Sequence, residues 1–340
     1  MFGNRIGFGV SVVMLIAAGL FLWFIQVLGT TMSPATAVGA NAASYTMKLP
    51  LDPRKIAEDK DTGWMKEEGD STPLYKELDD FYESNHKAFG NFVSEGNCNL
   101  QNPNLPTIEK GAALLIKAGK LKGGGVFKDN PAEIITYDAD KPRLHRIKAF
   151  KDVFFRLAAL YRSAGQEDKA REIYQGIFSF GVKLYEERYV AEEWYRGRNM
   201  LDIGIYLGKM AEAKSPAAAV QFRACEDQIA PFFRSNIEPP LTAIQYMYPN
   251  PADMVALAEK GGDPMWRVEG TLQLGRIKFS SNIQVSREKM IPITRPDVLA
   301  AIREIQILTN DPDPRVRKAA QLAQELDEPG YRKMTGTALE

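Results

Sequence analysis

Apolar side chains recur along most of this chain at the three- and four-residue steps of an α-helix, and prolines, glycines and charged pairs divide them into segments. Leu74, Leu78, Phe81, Tyr82, Phe89 and Phe92 form one such stripe. Ser71 or Thr72 can cap it, and Pro73 stands where a missing N–H costs nothing. A turn-rich stretch from Ser94 to Thr107 holds Cys98, and a second helix is predicted from Thr107 to about Leu121, stopping at Gly123-Gly124-Gly125. Those glycines lack the spacing of a phosphate loop and no apolar strand precedes them, so they read as a helix stop. From Tyr45 to Gly69 the chain is charged and poorly periodic, which predicts an irregular or extended approach to the helical body.

Helical segments become dense from Pro142 to Ala230. Phe154, Leu157, Ala158, Tyr161, Gly165, Ala170 and Tyr174 place large, small and aromatic residues on two helices around a turn glycine. This stretch, about residues 151–184, resembles one tetratricopeptide unit, although Ile177 stands where a small residue is usual and no closing proline follows. A further hairpin is expected from Val190 to Met210 and from Pro216 to Phe232.

Farther on, Asp263-Pro264-Met265-Trp266-Arg267-Val268 aligns with Asp311-Pro312-Asp313-Pro314-Arg315-Val316, and Gln273-Leu274 aligns with Gln321-Leu322, at a period of 48. Each copy follows a helix that opens at a proline, Pro251 or Pro296. Residues 249–326 resemble HEAT repeats, in which Asp311 or Asp313 would cap the second helix and Ala319, Ala320 and Ala323 would permit close stacking.

The twenty-three residues from Ile6 to Leu28 contain no charged side chain. At ~1.5 Å per residue such a run is long enough to cross a ~30 Å hydrocarbon core, and it exceeds the ~7–15 apolar residues of a signal peptide. Arg5 precedes it and Lys48 is the next charge, which predicts a cytoplasmic N-terminus and a body outside the cytoplasm, periplasmic in a bacterium. The resulting organisation is a tail and membrane helix (1–29), a flexible or irregular linker (30–70), an irregular helical region (71–141), tetratricopeptide-like hairpins (142–235), HEAT-like hairpins (236–328) and a C-terminal tail (329–340). The fold class is all-α, a single membrane helix followed by an α-solenoid of helical hairpins.

With 43 basic and 43 acidic residues there is no net field to attract nucleic acid. The cysteines, Cys98 and Cys225, are far apart in sequence and could form one disulfide or remain free thiols. His86 and His145 stand alone, so no metal site and no cofactor is expected. The adjacent pairs Glu186-Glu187 and Glu192-Glu193 point to different sides of a helix, so neither makes a facing acid and base without help from another element. No nucleophile-and-base motif is present, which argues against an enzyme. Trp194, Tyr195 and Arg198, with Tyr246 and Tyr248, concentrate aromatic bulk and hydrogen-bonding tips, the chemistry of protein-binding hot spots. The expected function is a membrane-anchored, extracytoplasmic scaffold or accessory subunit that binds a protein partner at the membrane, with the bilayer contacted through Ile6–Leu28. Alternatives are a membrane-tethered assembly factor and a hydrolase of envelope polymer, the latter needing two carboxylates that converge in a cleft.

Overall fold

The computed structural model describes residues 49–94, 96–137, 141–237, 251–280, 282–286 and 289–335. Helices dominate, as the class expectation requires, and two small two-stranded sheets accompany them. The expected single-pass membrane placement is not supported. Among the described residues no helix is long and apolar enough to cross a membrane. The reason is compositional: the longest of these helices, Pro142–Ser163, carries Arg143, Arg146, Lys148, Lys151, Asp152, Arg156 and Arg162. The run Ile6–Leu28 lies outside the described residues.

The charged approach to the body is more ordered than its pattern suggests. Asp52 caps a short helix, α1 (Pro53–Ala57), which buries Ile56 and Ala57. Strand β1 (Glu67–Asp70) pairs in parallel with β2 (Leu121–Gly123), with Glu67 opposite Leu121 and Asp70 opposite Gly123. Between these strands run α2 (Thr72–Ser84), α3 (His86–Val93) and α4 (Leu105–Gly119). The stripe from Leu74 to Phe92 is thus split in two: the Asn85 side-chain amide donates to the Phe81 carbonyl at 2.8 Å and ends α2.

Helices α5 (Pro142–Ser163) and α6 (Glu167–Glu187) form the hairpin expected around Gly165, with Ala158 and Ala170 fully buried. Every residue of α6 from Gly176 to Tyr185 is buried, because α1, α4, α5 and α7 (Ala191–Leu201) all pack against it. The close crossing of α6 and α7 needs glycine. A Cβ on Gly197 would lie 2.7 Å from the Tyr185 amide nitrogen, and one on Gly181 would lie 2.8 Å from the Met200 Cβ. Helices α8 (Gly204–Ala211), α9 (Pro216–Ala224) and α10 (Ala230–Asn236) follow, the last two joined by a π-helical turn, Cys225–Ile229.

The C-terminal part consists of α11 (Pro251–Lys260), α12 (Pro264–Ile277), a hairpin of β3 (Asn282–Ser286) and β4 (Lys289–Pro292), then α13 (Arg295–Leu308), α14 (Pro314–Glu325) and α15 (Glu328–Thr335). Asp263 caps α12 and Asp313 caps α14. The caps are therefore 50 residues apart, two more than the sequence period. Asp311 is freed from capping and forms an ion pair with Arg267 instead. Helix α12 packs on α11, α13 and α14, and its N-terminal half touches α7. One hydrophobic core runs from Ile56 to Ala323.

Candidate functional site

Helix α6 ends in two glutamates that part company. Glu186 turns outward and takes the Arg54 guanidinium in a fork, both N–O distances being 2.5 Å. Glu187 turns inward. Between them and α7 the chain reverses through Arg188, which has left-handed backbone geometry, φ 44°. That reversal brings Glu193, in the first turn of α7, near enough to Glu187 for the charge of Glu187 to act on it. Glu192 points away to Arg196. Each adjacent glutamate pair splits as its spacing predicts, and the turn supplies the help from another element that the sequence could not show.

The surroundings of the inward pair are built from backbone. Glu187 Oε2 accepts from the amides of Val126 at 2.9 Å and Phe127 at 3.2 Å. The glycines before them make this possible. A Cβ on Gly125 would lie 1.8 Å from Glu187 Oε1, and one on Gly124, at φ +82°, would lie 2.2 Å from Asp70 Oδ1. Gly125 donates its own N–H to Thr72 Oγ1 at 3.0 Å. Gly123-Gly124-Gly125 is not the helix stop expected, since α4 already ends at Gly119 and Gly123 belongs to β2; it is a close-packed seam between β1, α2 and α6.

Glu193 is fully buried, and its Oε2 accepts from the Tyr189 amide at 2.7 Å. Its Oε1 has no hydrogen-bond partner among the described residues. Burial raises the Glu187 carboxyl to about 7 against the opposing pull of the Val126 and Phe127 amides. Burial, with the neighbouring Glu187 charge, pushes Glu193 well above the ordinary carboxylate range. One turn away, Lys183 donates to the carbonyls of Gly123 at 2.8 Å and Lys122. Burial, and then Arg54 nearby, lower that ammonium to about 8.

The same turn holds the C-terminal helices. Arg315 of α14 donates to the Glu187 carbonyl at 3.2 Å, Arg188 lies 3.5 Å from the Asp263 carboxylate, and the Ala191 amide donates to Glu269 at 3.0 Å. The carboxyl pair thus sits where the β1–β2 seam, the α6–α7 hairpin and the α12–α14 helices meet.

The residues expected to bind a partner lie elsewhere. Trp194 is fully buried, its ring 4.2 Å from Phe233 and 5.8 Å from Tyr185, so it is a core residue and not an exposed anchor. Tyr195 is half-buried, and Arg198 is engaged by Asp202 at 3.5 Å and Asn199 Oδ1 at 2.6 Å. Tyr246 and Tyr248 lie outside the described residues. Cys98 and Cys225 are free thiols with no bridge between them, and burial raises both.

Exposed apolar surface occurs instead on α13. Leu299, Ile302 and Ile307 are 56%, 36% and 57% exposed, while Ala301, Ile305 and Leu308 on the opposite side are buried. Arg295 and Arg303 share the outer face and are exposed, and neither has an ion pair among the described residues. The sequence carries a signal for this surface: α13 has more apolar positions than one buried face can use. No protein-family model matches the chain, and no curated protein or solved structure is significantly similar to it.

Proposed function

We propose that this chain is a helical scaffold that binds a protein partner through the outer face of α13. The observation that carries this reading is the exposed row of Leu299, Ile302 and Ile307 on a helix whose other face is fully used in packing. Water-exposed apolar side chains grouped on one element are a mark of interaction surfaces. Covering them contributes about 25 cal/mol for each Å² removed from water. Arg295 and Arg303 beside them favour a partner helix with apolar positions at matching steps and acidic side chains at its edge.

The pairing of α11 with α12 and of α13 with α14, with α12 and α14 adjacent, supports a HEAT-like reading of this part. In such stacks each hairpin packs on its neighbour, and the outer helices remain free for binding. The α5–α6 hairpin supports a tetratricopeptide-like unit in the same way.

The test places a photo-crosslinking residue at Ile307 in the full chain, expressed in its own host. A single cross-linked protein is expected. Its affinity for the purified chain should then fall at least tenfold in Leu299→Asp/Ile307→Asp while the melting temperature stays put. Absence of any cross-link, or unchanged affinity in the double variant, would overturn the proposal. A stoichiometric, lasting complex marks a structural subunit, and transient capture marks an assembly factor.

A further inference from the structure

We infer, resting on the reading of α13 as a docking face, that Glu304 is a socket for a cation: the helix that binds there seats a lysine or arginine against this carboxylate, at the seam between α13 and α11. The geometry carries this. Glu304 is 8% exposed, yet its Oε1 has no hydrogen-bond partner and the carboxylate has no ion pair among the described residues. Its helical neighbours place it at the border of the exposed row. Ala300 and Ile307, one turn away on one side, are exposed, and Ala301 and Leu308, one turn away on the other, are buried. A cation carried by a partner lying over Ile307 has only the rim of α13 to cross.

The charges around it favour a cation and supply none. Glu259 of α11 adds a second negative charge that acts on Glu304. Arg267 of α12 is taken by Asp311 and by the Ala258 carbonyl. Lys260 lies 3.6 Å from Glu259 and is exposed, and Arg303 stands on the outer face of α13. Burial, and then the Glu259 charge, push the Glu304 carboxyl above its ordinary range against the opposing pull of Arg267, Arg303 and Lys260.

A buried acceptor with no donor suffers the full desolvation penalty, and an ionised one suffers more. A chain that carries this strain in isolation recovers the loss when a partner supplies the missing donor, and a guanidinium or ammonium makes the strongest hydrogen bond to a carboxylate. The partner is thereby defined further. It is an amphipathic helix with acidic residues facing Arg295 and Arg303 and one basic residue, a turn from the anchor that covers Ile307, facing Glu304. A second copy fits less well. The outer face of α13 exposes Arg295 and Arg303 while its Glu304 is buried, so two such faces would set cation against cation.

The test selects, from a display library of amphipathic helices, those that bind the full chain. Each helix carries leucines at steps i, i+3 and i+7 and one randomised residue a turn from the last leucine. Lysine and arginine should be enriched at least tenfold at the randomised position, and the enrichment should vanish against Glu304→Gln although helices are still captured. No preference on the wild type, or the same preference on Glu304→Gln, would overturn the socket. A selection that yields no helix, or only helices that bind Leu299→Asp/Ile307→Asp as tightly as the wild type, would instead sink the reading of α13 as a docking face. The chain alone gives an independent readout. Glu304→Met removes a buried carboxylate that has no partner and should raise the melting temperature by about 3 °C. A fall would mean that Glu304 is already satisfied inside the chain, and it would overturn the inference. A mass that rises with concentration in ultracentrifugation and reverts in Arg303→Ala would also overturn it, by giving the face to a second copy.

Discussion

At the scale of single residues, the seam around Gly125 is the least forgiving place in the molecule. An alanine there would drive its Cβ to 1.8 Å from a carboxylate oxygen of Glu187, itself fixed by two amides. Overpacking of this kind costs about 3 kcal/mol, the upper end of the usual range. Gly90, in the exposed part of α3, has nothing within 4 Å of where its Cβ would lie, and Gly90→Ala should stabilise by about 0.5–1 kcal/mol through helix propensity alone. Urea midpoints of the two variants should therefore move in opposite directions. A neutral Gly125→Ala would mean that the seam is looser than its geometry. The triple glycine is easy to see in the sequence, but its purpose is not, since the atoms it makes room for lie about sixty residues away on α6.

At the scale of elements, the two C-terminal hairpins are tied by one guanidinium. Arg267 of α12 donates to the Ala258 carbonyl at 2.9 Å on α11 and reaches both oxygens of Asp311, just before α14. Asp311 is 5% exposed at its side chain and Arg267 18%, so removing either partner strands a charge in a mostly dry site. Asp311→Asn should cost about 3 kcal/mol. A double-mutant cycle with Arg267→Met, read by denaturant unfolding, should show a strong coupling, and additive losses would mean the pair is inert. This part of the fold was legible in sequence because local rules write it: Asp263-Pro264 and Asp313-Pro314 start helices through cap and proline chemistry, and Ala319, Ala320 and Ala323 are buried as small stacking residues should be. What stayed hidden depends on nonlocal geometry. The approach of Glu193 to Glu187 needs a left-handed residue at Arg188, where no glycine or asparagine announces one. The burial of α6 on all sides comes from neighbours distant in sequence.

At the scale of the whole molecule, the question is whether the helices up to α10 and those from α11 onward are separate folding units or one. Among the described residues, the contacts that cross between them include Arg315 to the Glu187 carbonyl, Arg188 to Asp263, the Ala191 amide to Glu269, and the Tyr137 hydroxyl to the Leu272 carbonyl at 2.6 Å. Apolar packing is continuous through the same junction, from Trp194 and Phe233 to Trp266 and Leu274. Coupling this dense predicts one cooperative transition at pH 6, with calorimetric and van't Hoff enthalpies in a ratio of about one. Tyr137→Phe removes one hydrogen bond from the junction and leaves the Leu272 carbonyl without it, so it should lower stability by about 1–2 kcal/mol while preserving the single transition. A wild type that melts in two resolved steps at pH 6 would show that the C-terminal helices fold by themselves. The junction would then be a contact between two domains.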